Sequence, residues 1–301
     1  MVSVRGNSPK RVLLLEGGAM RAGFVAGAVM ALMDNHIIEF DRALAVSASI
    51  PTLAYYLTGQ RQELEAVWRH ELCTPRLVRY RNFAACSLTL SCKRPLLDID
   101  YLVYDIFKKK YPLDAQRLLE IKTETYFAVT RAPEGCIDFL GLDEEDIYEV
   151  FKACLAVPGL YPETVKLRNG EFVDGGTVNP LPARVLFRDQ DVKILAVLTR
   201  PLDCESEPLN VLERALFWRY FHRHEWMVEK LWESAQAHGE EIAWLEGRAS
   251  HNPPRAFIIS PDRMPPARFI TRDRGKINST INMGYRSVSL LLEDIRSFIQ
   301  G

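Results

Sequence analysis

Arg11-Val-Leu-Leu-Leu15 carries a continuous apolar run that passes straight into Glu16-Gly-Gly-Ala-Met-Arg21 and then into a second apolar stretch, Ala22 to Met33. A strand covered by helices on both faces reads this way, because it has no polar side. The stretch after the loop is apolar on nearly every face of a helix, so it too belongs inside. Strand, small-residue loop and buried helix in immediate succession restrict the chain to an α/β fold with a mainly parallel sheet between two helix layers.

The rest of the chain repeats the alternation. Ala43 to Val46 is a second short strand ending at Ser47, and residues 48–58 suit a helix with Pro51 in its first turn, where a missing N–H costs little. Tyr126 to Thr130, Ile137 to Leu140, Val192 to Leu198 and Ala256 to Ile259 read as strands, and Glu144 to Ala156 as a helix. Val165 to Arg168 and Glu171 to Val173 flank Asn169-Gly170, which predicts a type I′ hairpin. A long helical segment is expected over about 207–247, with Phe217, Phe221, His224, Val228, Leu231, Ala235, His238 and Ile242 on its apolar stripe. A last helix carries Ile277, Ile281, Tyr285, Val288, Leu292, Ile295 and Ile299. With no repeat and no linker-like stretch, residues 1–301 are expected to form one domain.

Charge and cysteine content exclude several classes. Lys plus Arg number 38 against 39 Asp plus Glu, so no basic field argues for nucleic acid. Six cysteines between residues 73 and 204 include no C-x-x-C pair or zinc-ligand spacing, and no EF-hand loop occurs, so neither metal nor cofactor is expected. These cysteines read as free thiols in a reducing compartment. Met1 to Lys10 lacks the apolar core of a secretory signal, and Ala22 to Met33 is too short to span a bilayer. The expected location is cytoplasmic.

Three segments carry chemistry. Ser47 ends a strand, is followed by a helix and sits in Ala45-Val-Ser-Ala-Ser49, small residues of the kind that a nucleophile elbow requires; a plain small-residue turn reads the same way. The Gly17-Gly18-Ala19 loop offers backbone N–H groups at a helix start, which suit a developing oxyanion. It is not a dinucleotide fingerprint, because Gly17, Gly18 and Gly23 miss the G-x-G-x-x-G spacing, and no Gly-Lys-Ser/Thr follows to make a P-loop. Asp174-Gly175-Gly176 places a carboxylate at a strand end, where an ordinary Asp-Gly turn is the plainer alternative.

Together these segments resemble the patatin-like phospholipase family, with its glycine-rich loop after the first strand, a G-x-S-x-G serine and a distant D-G-G/A. Ala156 to Pro162, Asn179 to Pro182 and Pro95 to Tyr101 are similar to that family's flanking segments. The resemblance implies a three-layer α/β/α fold and a serine acyl hydrolase acting on phospholipid or lysophospholipid esters. It implies Ser47 as nucleophile, Asp174 as base, and Gly17, Gly18 and Ala19 as the oxyanion hole. It gives Arg21, Gly175 and Gly176 supporting roles, Arg21 as an anchor of the loop.

The chain departs from the family pattern at Ala19, Ala22, Ala45 and Ser49, where the family carries glycine. An alanine keeps its N–H, but strains the loop if its φ must be positive. Ser49 adds a second hydroxyl, a decoy beside the nucleophile. The alternative reading is therefore a weakened domain that binds lipid or protein without turnover. A Ser-His-Asp triad is permitted by His222, His224, His238 and His251, but the elbow comes after only two strands, and His224 and His238 lie on an apolar stripe as packed histidines do. Residues 72–97 lack acidic residues before Leu97 and carry Arg76, Arg79, Arg81, Lys93 and Arg94. They read either as a cap making peripheral contact with anionic headgroups or as a solvated basic loop. Trp218, Trp226, Trp232 and Trp244 are expected to pack the long helix onto its domain.

Overall fold

The computed structural model describes residues 9–82, 95–142, 146–188, 190–203 and 225–300. Its strands are β1 (Lys10–Leu15), β2 (Arg42–Val46), β3 (Glu124–Ala132), β4 (Cys136–Leu140), β5 (Val165–Leu167), β6 (Gly170–Asp174), β7 (Val192–Val197) and β8 (Ala256–Ile259). They form one sheet in the order β5-β6-β3-β2-β1-β7-β8, with β4 also paired to β3. The β3-β2-β1-β7-β8 stretch is parallel throughout, and β4, β5 and β6 pair antiparallel.

The period of two along each strand divides the core into two layers. Leu13, Leu15, Ala43, Ala45, Leu195 and Val197 belong to one apolar cluster. It is covered by α1 (Gly23–Asp34), α2 (Ser49–Leu57), α3 (Arg61–Ala66), α4 (Ala115–Glu120) and α5 (Ile147–Leu155). Val12, Leu14, Leu44, Val46, Ile194 and Ala196 belong to the other cluster, under α6 (Ala183–Phe187) and α7 (Glu225–Ala249). Helices α8 (Arg274–Leu290) and α9 (Leu292–Gln300) join the first layer. This is the three-layer α/β/α arrangement expected from the strand and helix patterns.

The all-apolar face of α1 is explained by its neighbours. It lies between the sheet and α8, and crosses α8 at backbone contact. A Cβ on Gly27 would lie 1.9 Å from the Ile281 carbonyl oxygen, and one on Gly284 1.9 Å from that of Phe24. Two π-helical segments, Val67–Glu71 and Tyr101–Lys110, carry Trp68, Leu102 and Phe107 into the same layer.

Two expectations need correction. The β5–β6 hairpin turns at Arg168-Asn169, since Leu167 pairs with Gly170. Neither turn residue has the positive φ of a type I′ turn. Gly170, just after the turn, takes the positive φ itself, at +145°, and the Arg131 guanidinium beside it donates to the Asn169 carbonyl. The last apolar stripe spans two helices rather than one, broken at Leu291, whose N–H bonds the Ser287 and Val288 carbonyls. The long helix is described from Glu225, and its expected start near 207 lies outside the described residues, with Phe217, Trp218, Phe221, His222 and His224.

Candidate active site

Ser47 and Asp174, 127 positions apart, meet because of how β3 is paired. Residues Val129 to Arg131 pair with β4 on one edge and β6 on the other. Phe127 and Ala128 pair with β4 and with β2. Strands β2 and β6 therefore share one edge of β3 and run toward each other along it. Val46 is opposite Ala128, and Asp174 is opposite the next residue, Val129. The two C-terminal ends abut, and the Ser47 hydroxyl donates to Asp174 Oδ2 at 2.5 Å.

The turn at Ser47 is sharp. Its φ is +55°, a left-handed conformation that costs an L-residue about 1 kcal/mol or more and recurs at functional sites. The flanking Ala45 and Ala48 are small enough to let α2 begin at Ser49. Pro51 falls within the first turn of α2, as expected.

Asp174 is nearly sealed from solvent, at 2% exposed, with Ser47 at 6%. Burial drives the Asp174 carboxyl up from 3.8 to about 7, while the Ser47 hydroxyl and the Gly176 N–H, 2.7 Å from Oδ1, pull it back. Its backbone is fixed as well, by its N–H to the Ala156 carbonyl and by Thr130 Oγ1 to its own carbonyl. Gly175 must be glycine for packing, because a Cβ would lie 2.5 Å from the Ala128 carbonyl oxygen.

The Glu16–Ala22 loop lies beside Ser47. Gly17 donates its N–H to the Pro180 carbonyl. Ser49 Oγ donates to the Glu16 carbonyl at 2.6 Å and is fully buried, so its hydroxyl braces this loop and does not stand as a second free hydroxyl beside Ser47. Ala19 takes φ +48°, the positive value that a glycine accommodates without strain. Arg21 lies over the Phe269 ring, and the Met20 N–H bonds the Phe269 carbonyl.

The sequence expectations give Glu16 no role of its own. It is a fully buried carboxylate, which burial alone would neutralise. His238 and Arg200, with the Thr199 N–H, more than offset that penalty and hold it down to about 2. His238 is thus a bonded partner of the loop, 3.0 Å from Glu16 Oε1, and not a histidine packed on an apolar stripe. One turn along α7, Glu241 accepts from Asn179 Nδ2 and the Arg184 N–H, and burial pushes its carboxyl up to about 7. Helix α7 therefore ties down both the Gly-Gly-Ala loop and the segment following Asp174. An acidic residue directly between the apolar β1 run and Gly17-Gly18 was the only signal available for Glu16.

A narrow cleft, partly open to solvent, leads from Ser47 and Ala19 into the first core layer. Its walls are apolar and aromatic: Pro51, Tyr55, Trp68, Leu77, Phe107 and Phe269 among them. The polar atoms there are satisfied, Trp68 Nε1 by Thr52 Oγ1 and the Tyr55 hydroxyl by the Tyr111 carbonyl. Leu72, Leu77 and Leu97 of the basic segment line this cleft. Arg76 pairs with Asp105 and Arg79 with Asp98, whereas Arg81 is exposed. Residues 83–94 of that segment, with Lys93 and Arg94, lie outside the described residues, as do Cys86, Cys92 and Cys204. Cys73, Cys136 and Cys154 are free thiols. Trp244 packs on the second core layer under Arg248. Among the described residues, no three His, Cys, Asp or Glu side chains converge as a metal set, and no helix is long and apolar enough to cross a membrane.

A mostly parallel sheet between helix layers, with a serine on a strained strand-to-helix turn facing a buried carboxylate, defines an α/β/α protein with nucleophile-elbow geometry. The family model for patatin-like phospholipase matches residues 13–187, more than half of the chain, and the chain belongs to that family. It is 27% identical over 207 residues to the uncharacterized protein YjjU of Escherichia coli K12, covering 65% of this chain and 54% of that one. The chain thus spans about half the length of this curated relative. The crystal structure of VipD from Legionella pneumophila superimposes with a TM-score of 0.51 at 13% identity, covering 95% of this chain and 67% of that one. At that identity the likeness is one of fold.

Proposed function

We propose that this protein hydrolyses fatty-acyl esters of phospholipids or lysophospholipids through a Ser47–Asp174 dyad. The observation that carries the reading is the 2.5 Å hydrogen bond from a strained, 6% exposed serine to a buried carboxylate, at the mouth of an apolar cleft. As Ser47 Oγ attacks the ester carbonyl, its proton passes to Asp174 Oδ2. The tetrahedral oxyanion is held by the N–H groups of Gly18 and Ala19; Gly17, whose N–H is spent on Pro180, shapes the loop. Collapse expels the alcohol, which takes the proton from Asp174 and leaves an acyl-Ser47. A water then gives its proton to Asp174 as it attacks the acyl carbon, and collapse of this second intermediate returns the proton to Ser47 Oγ and releases the fatty acid. Arg21 anchors the loop through Phe269, and Gly175 and Gly176 place the carboxylate. The acyl chain lies among Trp68, Phe107 and Leu77, where each buried CH₂ contributes about 0.8 kcal/mol.

The test is hydrolysis of fatty-acyl p-nitrophenyl esters and lysophospholipid micelles by wild type, Ser47→Ala and Asp174→Asn. Both variants should lose about 10³-fold or more in kcat. A wild type no faster than Ser47→Ala on every ester would instead support the binding-module reading. Contact with anionic headgroups through 72–97 rests on fewer free charges than the sequence offers, since Arg76 and Arg79 already have acidic partners. Charge reversal at Arg81 that leaves vesicle binding unchanged would remove it.

A further inference from the structure

We infer that His238 and Glu16 form a positioning pair that, through Thr199, aims the Gly18 N–H at the oxyanion; this rests on the Ser47–Asp174 reading. The case is built peptide by peptide. In a trans peptide the N–H points away from the C=O, so whatever grips the carbonyl aims the following N–H. Three consecutive carbonyls are gripped here. Ser49 Oγ holds that of Glu16, which sends the Gly17 N–H to Pro180. Thr199 Oγ1, at 3.3 Å, holds that of Gly17, which aims the Gly18 N–H to the opposite side. The Arg21 N–H, at 3.0 Å, holds that of Gly18, which aims the Ala19 N–H.

Thr199 is the one of these three grips that comes from a distant strand end, and it is held by Glu16. Its N–H donates to Glu16 Oε2 at 2.5 Å. Its side chain fills the space beside Gly18, where a Cβ would lie 2.7 Å from Thr199 Oγ1. Glu16 Oε1 in turn accepts from His238 Nε2 at 3.0 Å and faces Arg200 at 3.4 Å. A fully buried carboxylate stays ionised only with such partners, and an ionised one grips an N–H about twice as strongly as a neutral acceptor. Removing His238 leaves Glu16 short of a donor and free to turn toward Arg200, releasing Thr199. The substrate cleft does not touch His238, Glu16 or Thr199, so substrate binding should be spared while the developing oxyanion loses a well-aimed donor.

The experiment measures kcat and KM for p-nitrophenyl ester hydrolysis by wild type, Ser47→Ala, His238→Leu, His238→Gln and Thr199→Val, with thermal unfolding of each. Gln places an N–H where the His Nε2 stands, and Val keeps the shape and the N–H of Thr199. His238→Leu should lose on the order of 10- to 100-fold in kcat with KM within about twofold. His238→Gln should recover kcat to within about threefold, and Thr199→Val should lose kcat without losing stability. Wild-type kcat in His238→Leu, beside an inactive Ser47→Ala, overturns the positioning role and leaves the dyad intact. A glutamine variant as inactive as the leucine variant overturns it too, since the donor then does not matter. If His238→Leu fails to fold, Thr199→Val decides alone: unchanged kcat overturns the inference. A Ser47→Ala protein as active as wild type removes the reading on which the inference stands.

Discussion

Replacing Asp174 by Asn should kill turnover and, above neutral pH, make the protein more stable. The unfolded chain releases the Asp174 proton near 3.8, whereas the native carboxyl, raised by burial, keeps it to about 7. Between those values the native state binds more protons, so this group's contribution to stability is fully present below about pH 3.8 and is lost as pH rises through 7. Raising an Asp from 3.8 to about 7 penalises the ionised form by roughly 4 kcal/mol. Asn does not titrate and keeps an amide that can reach Ser47. From about pH 4.5 to about pH 7.5, the stability of Asp174→Asn relative to wild type should therefore rise by roughly 3 kcal/mol. Glu241, also raised by burial, and Glu16, held low by His238 and Arg200, titrate in both proteins and cancel in the difference. Urea unfolding of both proteins at several pH values measures it. A difference that stays flat across this range would refute the claim that the native carboxyl is forced to ionise in a site that disfavours its charge.

With Asp174 as the proposed base, kcat/KM should rise about tenfold per pH unit and level off near pH 7, since only its ionised form could accept the Ser47 proton; a profile flat from pH 5 to 8 contradicts the proposal. Ala19→Gly should raise the unfolding free energy by roughly 0.5–1 kcal/mol, the left-handed strain relieved less the extra chain entropy, as read from urea midpoints. Gly284→Ala should cost about 3 kcal/mol or more in the same assay, because its Cβ would overlap the Phe24 carbonyl and force α8 off α1.

Local pattern made much of this architecture legible. The unbroken apolar run of β1 and the all-apolar α1 predicted their burial between sheet and helix, and that is where they lie. Ser47 at a strand end and Asp174 at another were visible as well, because apolar runs stop there. What no local window holds is the pairing of β2 and β6 along one edge of β3, which brings those ends together. The same limit explains Ser49, whose partner is a carbonyl 33 residues away, and Glu16, whose partners come from residues 199, 200 and 238. At Asn169-Gly170 the dipeptide signal was real, but the turn sits one residue earlier, with Gly170 already paired to Leu167, and that register is not written in the dipeptide. The break at Leu291 follows no Gly or Pro and had no signal to read.

The central claim is that Ser47 is an activated nucleophile and the neighbouring Ser49 is not. Treatment with a fluorophosphonate, followed by peptide mass spectrometry, tests it most directly. The account predicts a single adduct on Ser47, absent from Ser47→Ala and strongly slowed in Asp174→Asn. No adduct on the wild-type protein, or an adduct on Ser49 that persists in Ser47→Ala, would contradict it.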